Sequence, residues 1–242
     1  WIIISFIFIF ASACFATDDE ECFALNSYFN QPAASIHRAI DEYSARLSSD
    51  SRDYYANLAI AILYCALSSP TENPETGASE KVVEHAEKFQ KKEPGNQLGL
   101  IYLGLGHSLV SRDSHNPFKQ LSEVNKAISI FEKAVSQSRG KPREWYSRYM
   151  RANFYMNLPE SFHKRKIAEE DLSYFYNMYK KDPSLEGYMA VGFYFLGEIE
   201  KSRGNGDLAI EYWTNSMAVD SKLGLNSPEA KKSAKELRIS VP

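Results

Sequence analysis

Residues 193–216 read FYFLGEIEKSRGNGDLAIEYWTNS, and this stretch decides the fold. Phe193, Leu196 and Gly197 sit at helical spacing, and Gly204-Asn205-Gly206 is a break of the kind that ends one helix and starts another. Ala209 follows twelve residues after Gly197, then Trp213 four later and Ser216 three later. Two helices joined by so short a turn must run antiparallel and touch. Small residues at Gly197 and Ala209 permit close approach, and Trp213 is large enough to fill the gap toward a neighbouring pair. The glycines of the turn supply the left-handed backbone that closes the first helix.

Outward from this hairpin the same grammar repeats. Ile36, Ile40, Tyr43 and Leu47 keep helical spacing, as do Leu58, Ile62, Cys65 and Ala66, and Val124, Ala127, Ile128, Phe131, Ala134 and Val135. No stretch alternates with period two for long enough to build a sheet. Turn residues at Ser69-Pro70 to Gly77, Glu93-Pro94-Gly95-Asn96, Ser114 to Pro117, Gly140-Lys141-Pro142, Leu158-Pro159 and Lys181-Asp182-Pro183 cut the chain into segments of helix length. Fainter copies of the second-helix signature occur at Ala127, Phe131 and Ala134, with Leu103-Gly104 or Leu105-Gly106 as first-helix partner. Further copies occur at Ala168, Leu172 and Phe175, and at Ser79, Val83 and Ala86. Long connections are expected at Ser111–Lys119 and Ser68–Gly77.

The Gly197–Ala209–Trp213 pattern and its copies resemble the tetratricopeptide repeat family. Glu200 and Ser221 depart from it, standing where an aromatic and a proline are usual. The resemblance implies an all-α fold: a right-handed superhelix of antiparallel helix pairs, a degenerate α-solenoid. Its repeats would cover about 51–96, 97–141, 142–183 and 184–223. Isolated pairs cannot bury their apolar faces, so stacking them makes the core, and residues 24–48 and Pro228–Leu237 are expected as capping helices. Residues 17–242 are thus expected to form one helical-repeat domain.

Composition narrows the function classes. Twenty-eight basic residues against thirty-one acidic ones leave a net charge of −3, no electrostatic footprint for nucleic acid. Trp1 to Phe10 reads WIIISFIFIF, too short to span a bilayer as a helix but matching the apolar core of a secretory signal. The chain begins without a methionine or a basic leader, so part of that signal is expected to be missing. Residues 1–16 are expected to be removed before Thr17; a lipidated Cys14 in Ala11-Ser12-Ala13-Cys14 is the other option. The chain is therefore expected outside the cytoplasm, secreted or periplasmic, with the membrane reached only through such an anchor. In an exported chain the remaining Cys22 and Cys65 invite a disulfide, unless Cys65 is simply a buried thiol. The five histidines stand far apart, and no metal site or cofactor is expected.

No catalytic motif emerges, and no catalytic residue is nominated. On a helix over residues 143–156, Trp145, Tyr149, Ala152 and Met156 share a face expected in the core. Arg148, Arg151 and Tyr155 share another. In the family the first helix of each pair lines the concave surface. The resemblance therefore implies that Arg148, Arg151 and Tyr155 grip a carboxylate on a peptide or small anion. The alternative pairs these arginines with Glu169 or Glu170. Tyr194, Glu198 and Lys201 would line the same groove in the last repeat, and Tyr102 and His107 in the second. The expected function is a binding or scaffold module for a protein or peptide partner. A narrower resemblance is to the helical-repeat T components of bacterial tripartite periplasmic transporters; an envelope enzyme inside a helical shell and a self-associating structural protein are the other readings.

Overall fold

A computed structural model of the chain describes residues 18–69, 74–225 and 227–240. The expected signal segment and Cys14 lie outside the described residues. The described residues form eleven α-helices and no strand. In order these are α1 (Asp18–Ala24), α2 (Ala33–Ser49), α3 (Tyr55–Ser68), α4 (Ala78–Gln90), α5 (Gln97–Asp113), α6 (Pro117–Ser138), α7 (Glu144–Met156), α8 (Arg165–Tyr179), α9 (Glu186–Ser202), α10 (Gly206–Leu223) and α11 (Pro228–Ser240). A 3-10 turn, Leu25–Asn30, follows α1.

The helix ends follow from local chemistry. Asn96 caps α5 by accepting from the Gly99 amide, and Asn116 caps α6 by accepting from the amides of Phe118 and Lys119. Pro117 at the first position of α6 forfeits an amide that has no intrahelical partner there. Gly204, at φ +82°, makes the left-handed turn between α9 and α10. The expected long connection Ser111–Lys119 shrinks to Ser114–Asn116, because α5 runs on to Asp113 and α6 starts at Pro117.

Packing runs along the chain. α3 packs on α4, α5 on α6, α7 on α8 and α9 on α10, while α4 meets α5, α6 meets α7 and α8 meets α9. The first helices also touch in succession, α3 with α5, α5 with α7 and α7 with α9. One apolar core extends from Cys22 to Val219. α3 is apolar nearly all round because it is covered on every side, by α1 and the 3-10 turn, α2, α4 and α5. A second, smaller core joins Ile36, Ala39 and Ile40 of α2 to Ile60, Leu63, Ala66 and Leu67 of α3. α11 covers α9 and α10 at the other end.

Small residues seat large ones where helices meet. A Cβ on Gly197 would stand 2.6 Å from Trp213 Cδ1, and one on Gly104 would stand 3.1 Å from the Phe131 ring. Gly106 instead faces α4, where a Cβ would lie 2.9 Å from Val83 Cγ2. Both glycines of the Leu-Gly repeats are thus used, each against a different neighbour. In α4 the buried residues are Ala78, Ser79, Val82, Ala86 and Phe89, with Val83 only half-buried.

The expected N-terminal cap over 24–48 divides in two. Pro32 starts α2, and residues 18–30 form a separate short helix and 3-10 turn that pack on α3.

Candidate functional site

The segment 18–30 reaches side chains on α3, α5 and α7 at once. Asn26 is its polar anchor. Its Oδ1 accepts from the Tyr102 hydroxyl of α5 at 2.5 Å and from the Tyr146 hydroxyl of α7 at 3.1 Å, and its Nδ2 donates to the Phe23 carbonyl at 2.7 Å. The two hydroxyls are 3.4 Å apart. Burial, reinforced by neighbouring tyrosines, pushes the pKa of Tyr102 far above the phenol range and raises that of Tyr146, so both stay protonated donors. Two buried donors need an acceptor, and one amide oxygen serves both.

Phe23 is the apolar anchor. Its ring stands edge-on to Tyr146 at 5.1 Å and to Trp145 at 6.4 Å, with the Arg143 guanidinium 4.8 Å from its centroid. Cys22 is buried, its Sγ 3.9 Å from the Tyr55 carbonyl at the start of α3. Glu21 accepts from the Tyr43 hydroxyl and from Arg46, both on α2. The aromatic surface continues past the segment: Tyr188 of α9 meets Trp145 at 5.3 Å, Tyr149 at 5.4 Å and Tyr146 at 6.0 Å. Tyr102, Tyr146 and Tyr188 thus make a row across α5, α7 and α9.

The arginine face of α7 points elsewhere. Arg151 donates to both oxygens of Asp171 in α8, at 2.7 and 3.0 Å, and Arg148 adds a third bond at 2.9 Å. The Asp171 side chain is wholly buried. Arg148 also donates to Glu144 and stacks over Tyr174. Burial opposes the Arg148 charge, but its bonds to Glu144 and Asp171 outweigh that and raise its pKa. The carboxylate these arginines grip is therefore the chain's own, and it comes from Asp171 rather than Glu169 or Glu170. Tyr155 is buried against α6, where its hydroxyl donates to Glu132 beside Lys164. The expected core face of α7 is in the core: Tyr149 and Ala152 are buried, and Trp145 and Met156 pack against the same core. The arginine face differs from expectation, bridging to α8, while Trp145 and Tyr146 also meet residues 18–30.

The other expected groove residues fall in three places. Tyr102 belongs to the Asn26 site. His107 is buried between α5 and α6, its Nδ1 2.5 Å from Glu123, which also accepts from Lys126. Tyr194, Glu198 and Lys201 gather under α11: Lys232 stands over the Tyr194 ring at 5.6 Å, and Lys201 pairs with Glu236 and lies over Trp213. Glu198 Oε1 is buried without a hydrogen-bond partner; burial first, then the nearby Glu236, raises its pKa. These residues do not form one site.

Cys65 is a free buried thiol, pushed up to about 12 by burial, so the expected bridge to Cys22 is not formed. The reason is axial position. Cys22 lies against Tyr55, and Cys65 is ten residues, about 15 Å, further along α3, beyond disulfide reach.

Phe23, Asn26, Tyr146, Tyr188 and Asp171 escaped the sequence reading. One signal was available for part of the set: a tyrosine recurs in successive first helices at 102, 146 and 188. Among the described residues, no group of three or more His, Cys, Asp and Glu could hold a metal ion, and no helix is long and apolar enough to cross a membrane. No protein-family model, no curated protein and no solved structure matches this chain.

Proposed function

We propose that the chain is an exported helical-repeat binding module whose four helix pairs stack in the manner of tetratricopeptide repeats, as a right-handed superhelix. It binds a protein or peptide partner on the aromatic row of its first helices, by shape and hydrogen bonding, without bond chemistry. One observation carries this reading: residues 18–30, a segment of peptide size outside the four pairs, lie on side chains from α3, α5 and α7. Half-buried Trp145 and Tyr188, at the α7–α9 end of the row, suit such contacts, because these side chains offer large apolar area with a polar tip at small entropic cost. The Gly197–Trp213 and Gly104–Phe131 seats support repetition of one structural unit. Export rests on the apolar run Trp1–Phe10 ahead of the acidic stretch Asp18 to Glu21.

The test is affinity capture from the secreted and envelope fractions of the native cells. The intact chain should retain a discrete partner that Trp145→Ala and Tyr188→Ala each lose, while the exposed control Lys133→Ala keeps it. All variants are first checked for an unchanged thermal midpoint. A partner set indifferent to both aromatic substitutions refutes the reading.

A further inference from the structure

We infer that residues 18–30 are a displaceable occupant of the Tyr102–Tyr146 face, and that this face takes in trans a short helical peptide carrying Phe-x-x-Asn after an acidic start. The inference deepens the binding-module reading and rests on it.

Three features separate this segment from the core helices it touches. Its link to the body is the extended pair Gln31-Pro32, with ψ of 153° and 143°, after which α2 is held on α3 by the second, smaller core, against which Tyr28 of the segment also packs. Release of 18–30 removes Tyr28 and the Glu21 bonds but keeps the α2–α3 core contacts. The contacts are those of a ligand: one aromatic ring in an aromatic corner, one amide accepting from two hydroxyls, and two apolar side chains, Cys22 and Leu25, buried at the edge of the main core. Finally, when the segment leaves, water reaches the Tyr102 and Tyr146 hydroxyls and replaces Asn26 as acceptor, so no buried donor is stranded.

The same contacts define what could replace it. The peptide must be helical over about two turns, so that an aromatic residue and an Asn three positions later fall on one face. Arg143 over the ring favours an electron-rich aromatic, and Arg46 with Tyr43 favours a carboxylate two residues before it. A short free peptide must order itself on binding. With an effective concentration on the order of millimolar for the tethered segment, an intrinsic Kd of about 50 μM keeps the closed state roughly twentyfold favoured. A partner must therefore bind more tightly than the chain's own sequence, or act through more than one contact.

The experiment uses the full chain and a fluorescent peptide of residues 18–30, read by anisotropy under reducing conditions. Phe23→Ala/Asn26→Ala should bind it with a Kd of about 10–100 μM. The intact chain should bind at least tenfold more weakly, and Tyr102→Phe/Tyr146→Phe added to the open variant should weaken binding by tenfold or more. Equal binding to open and intact chains, or none to a correctly folded open variant, overturns the inference. Should the open variant fail to fold, hydrogen exchange of the intact chain decides. Exchange of amides 22–30 faster than those of α5 and α7 supports a displaceable segment; exchange only with global unfolding overturns it. Loss of peptide binding with partner capture still sensitive to Tyr188→Ala sinks this inference alone. Peptide binding with insensitive capture sinks the partner reading alone.

Discussion

Gly197 and Trp213 share one space: a methyl group added to Gly197 would stand 2.6 Å from the indole Cδ1. The indole is almost wholly buried and has the Lys201 ammonium 5.5 Å above it, so it cannot move aside into open space. Overpacking of this kind costs about 1–3 kcal/mol, against a gain of about 1 kcal/mol from replacing glycine within a helix. Gly197→Ala is expected to destabilise by up to about 2 kcal/mol, toward the upper end because the enclosed indole has no room to yield. Gly206→Ala, with nothing within 4 Å of its would-be Cβ, should stay within about 0.5 kcal/mol of the parent. Urea midpoints at constant m-value check both. Equal midpoints for the two variants would mean that the α9–α10 contact is loose.

Asp171 holds two arginines and is itself fully enclosed. Removing a buried partner leaves the remaining charges uncompensated, at a cost of about 3–5 kcal/mol. Asp171→Ala should fall in that range. Arg148→Ala should cost less, because Arg151 alone still donates to both carboxylate oxygens. A double-mutant cycle over Arg151 and Asp171 should show strong coupling. Arg148→Ala/Arg151→Ala is thus a stability variant, and lost binding in it would say nothing about a ligand.

His85 makes stability depend on pH. Its ring stacks on Tyr64, and its Nδ1 lies 3.1 Å from Oδ1 of buried Asn57. Burial, with Lys88 and Lys81 opposing the charge and Glu84 favouring it, pulls its pKa down to about 4. Between the unfolded imidazole pKa near 6.5 and about 4, the unfolded chain binds a proton that the folded chain refuses. Stability is therefore lost as pH falls through this window and levels off below it. The loss is on the order of 2 kcal/mol after allowing for the partial exposure of the ring. Urea titrations at pH 7, 5.5 and 4 should show it, and His85→Gln should remove that part of the slope. A slope unchanged in His85→Gln would assign the acid sensitivity to other groups.

Glu198 works in the opposite direction. Its carboxyl is raised by burial and by Glu236, with Lys201, Arg165 and Lys232 only partly compensating. A raised acid pKa means that the folded state binds the proton more tightly, so stability declines as pH rises past the unfolded value of about 4.5. Glu198→Gln should gain on the order of 0.5–1 kcal/mol at pH 7, given its partial exposure, and nothing at pH 4. A gain equal at both pH values would point to shape rather than charge.

The helical character of the chain was legible in the sequence, because a helix period is written over a dozen residues. Gly197 was legible as a close-approach position, but its large neighbour is Trp213 of the same hairpin, which the sequence pattern alone assigns to the gap toward the next pair. The core face of α7 was legible too, but the partner of its polar stripe was not. Arg148, Arg151 and Tyr155 look like a polar stripe, yet they close on Asp171 and Glu132. The stripe's chemistry is the same whether its partner is a ligand or the next helix.

The sequence by itself determined that this chain folds as helices joined by turns, and which small residues allow helices to approach. Only the tertiary structure decided which carboxylate the α7 arginines hold and what covers Tyr102 and Tyr146. The physical reason is range: Asn26 meets Tyr146 across 120 residues of chain. A lone amide seeking a hydroxyl has no period, so nothing local records the meeting until the helices between them have packed.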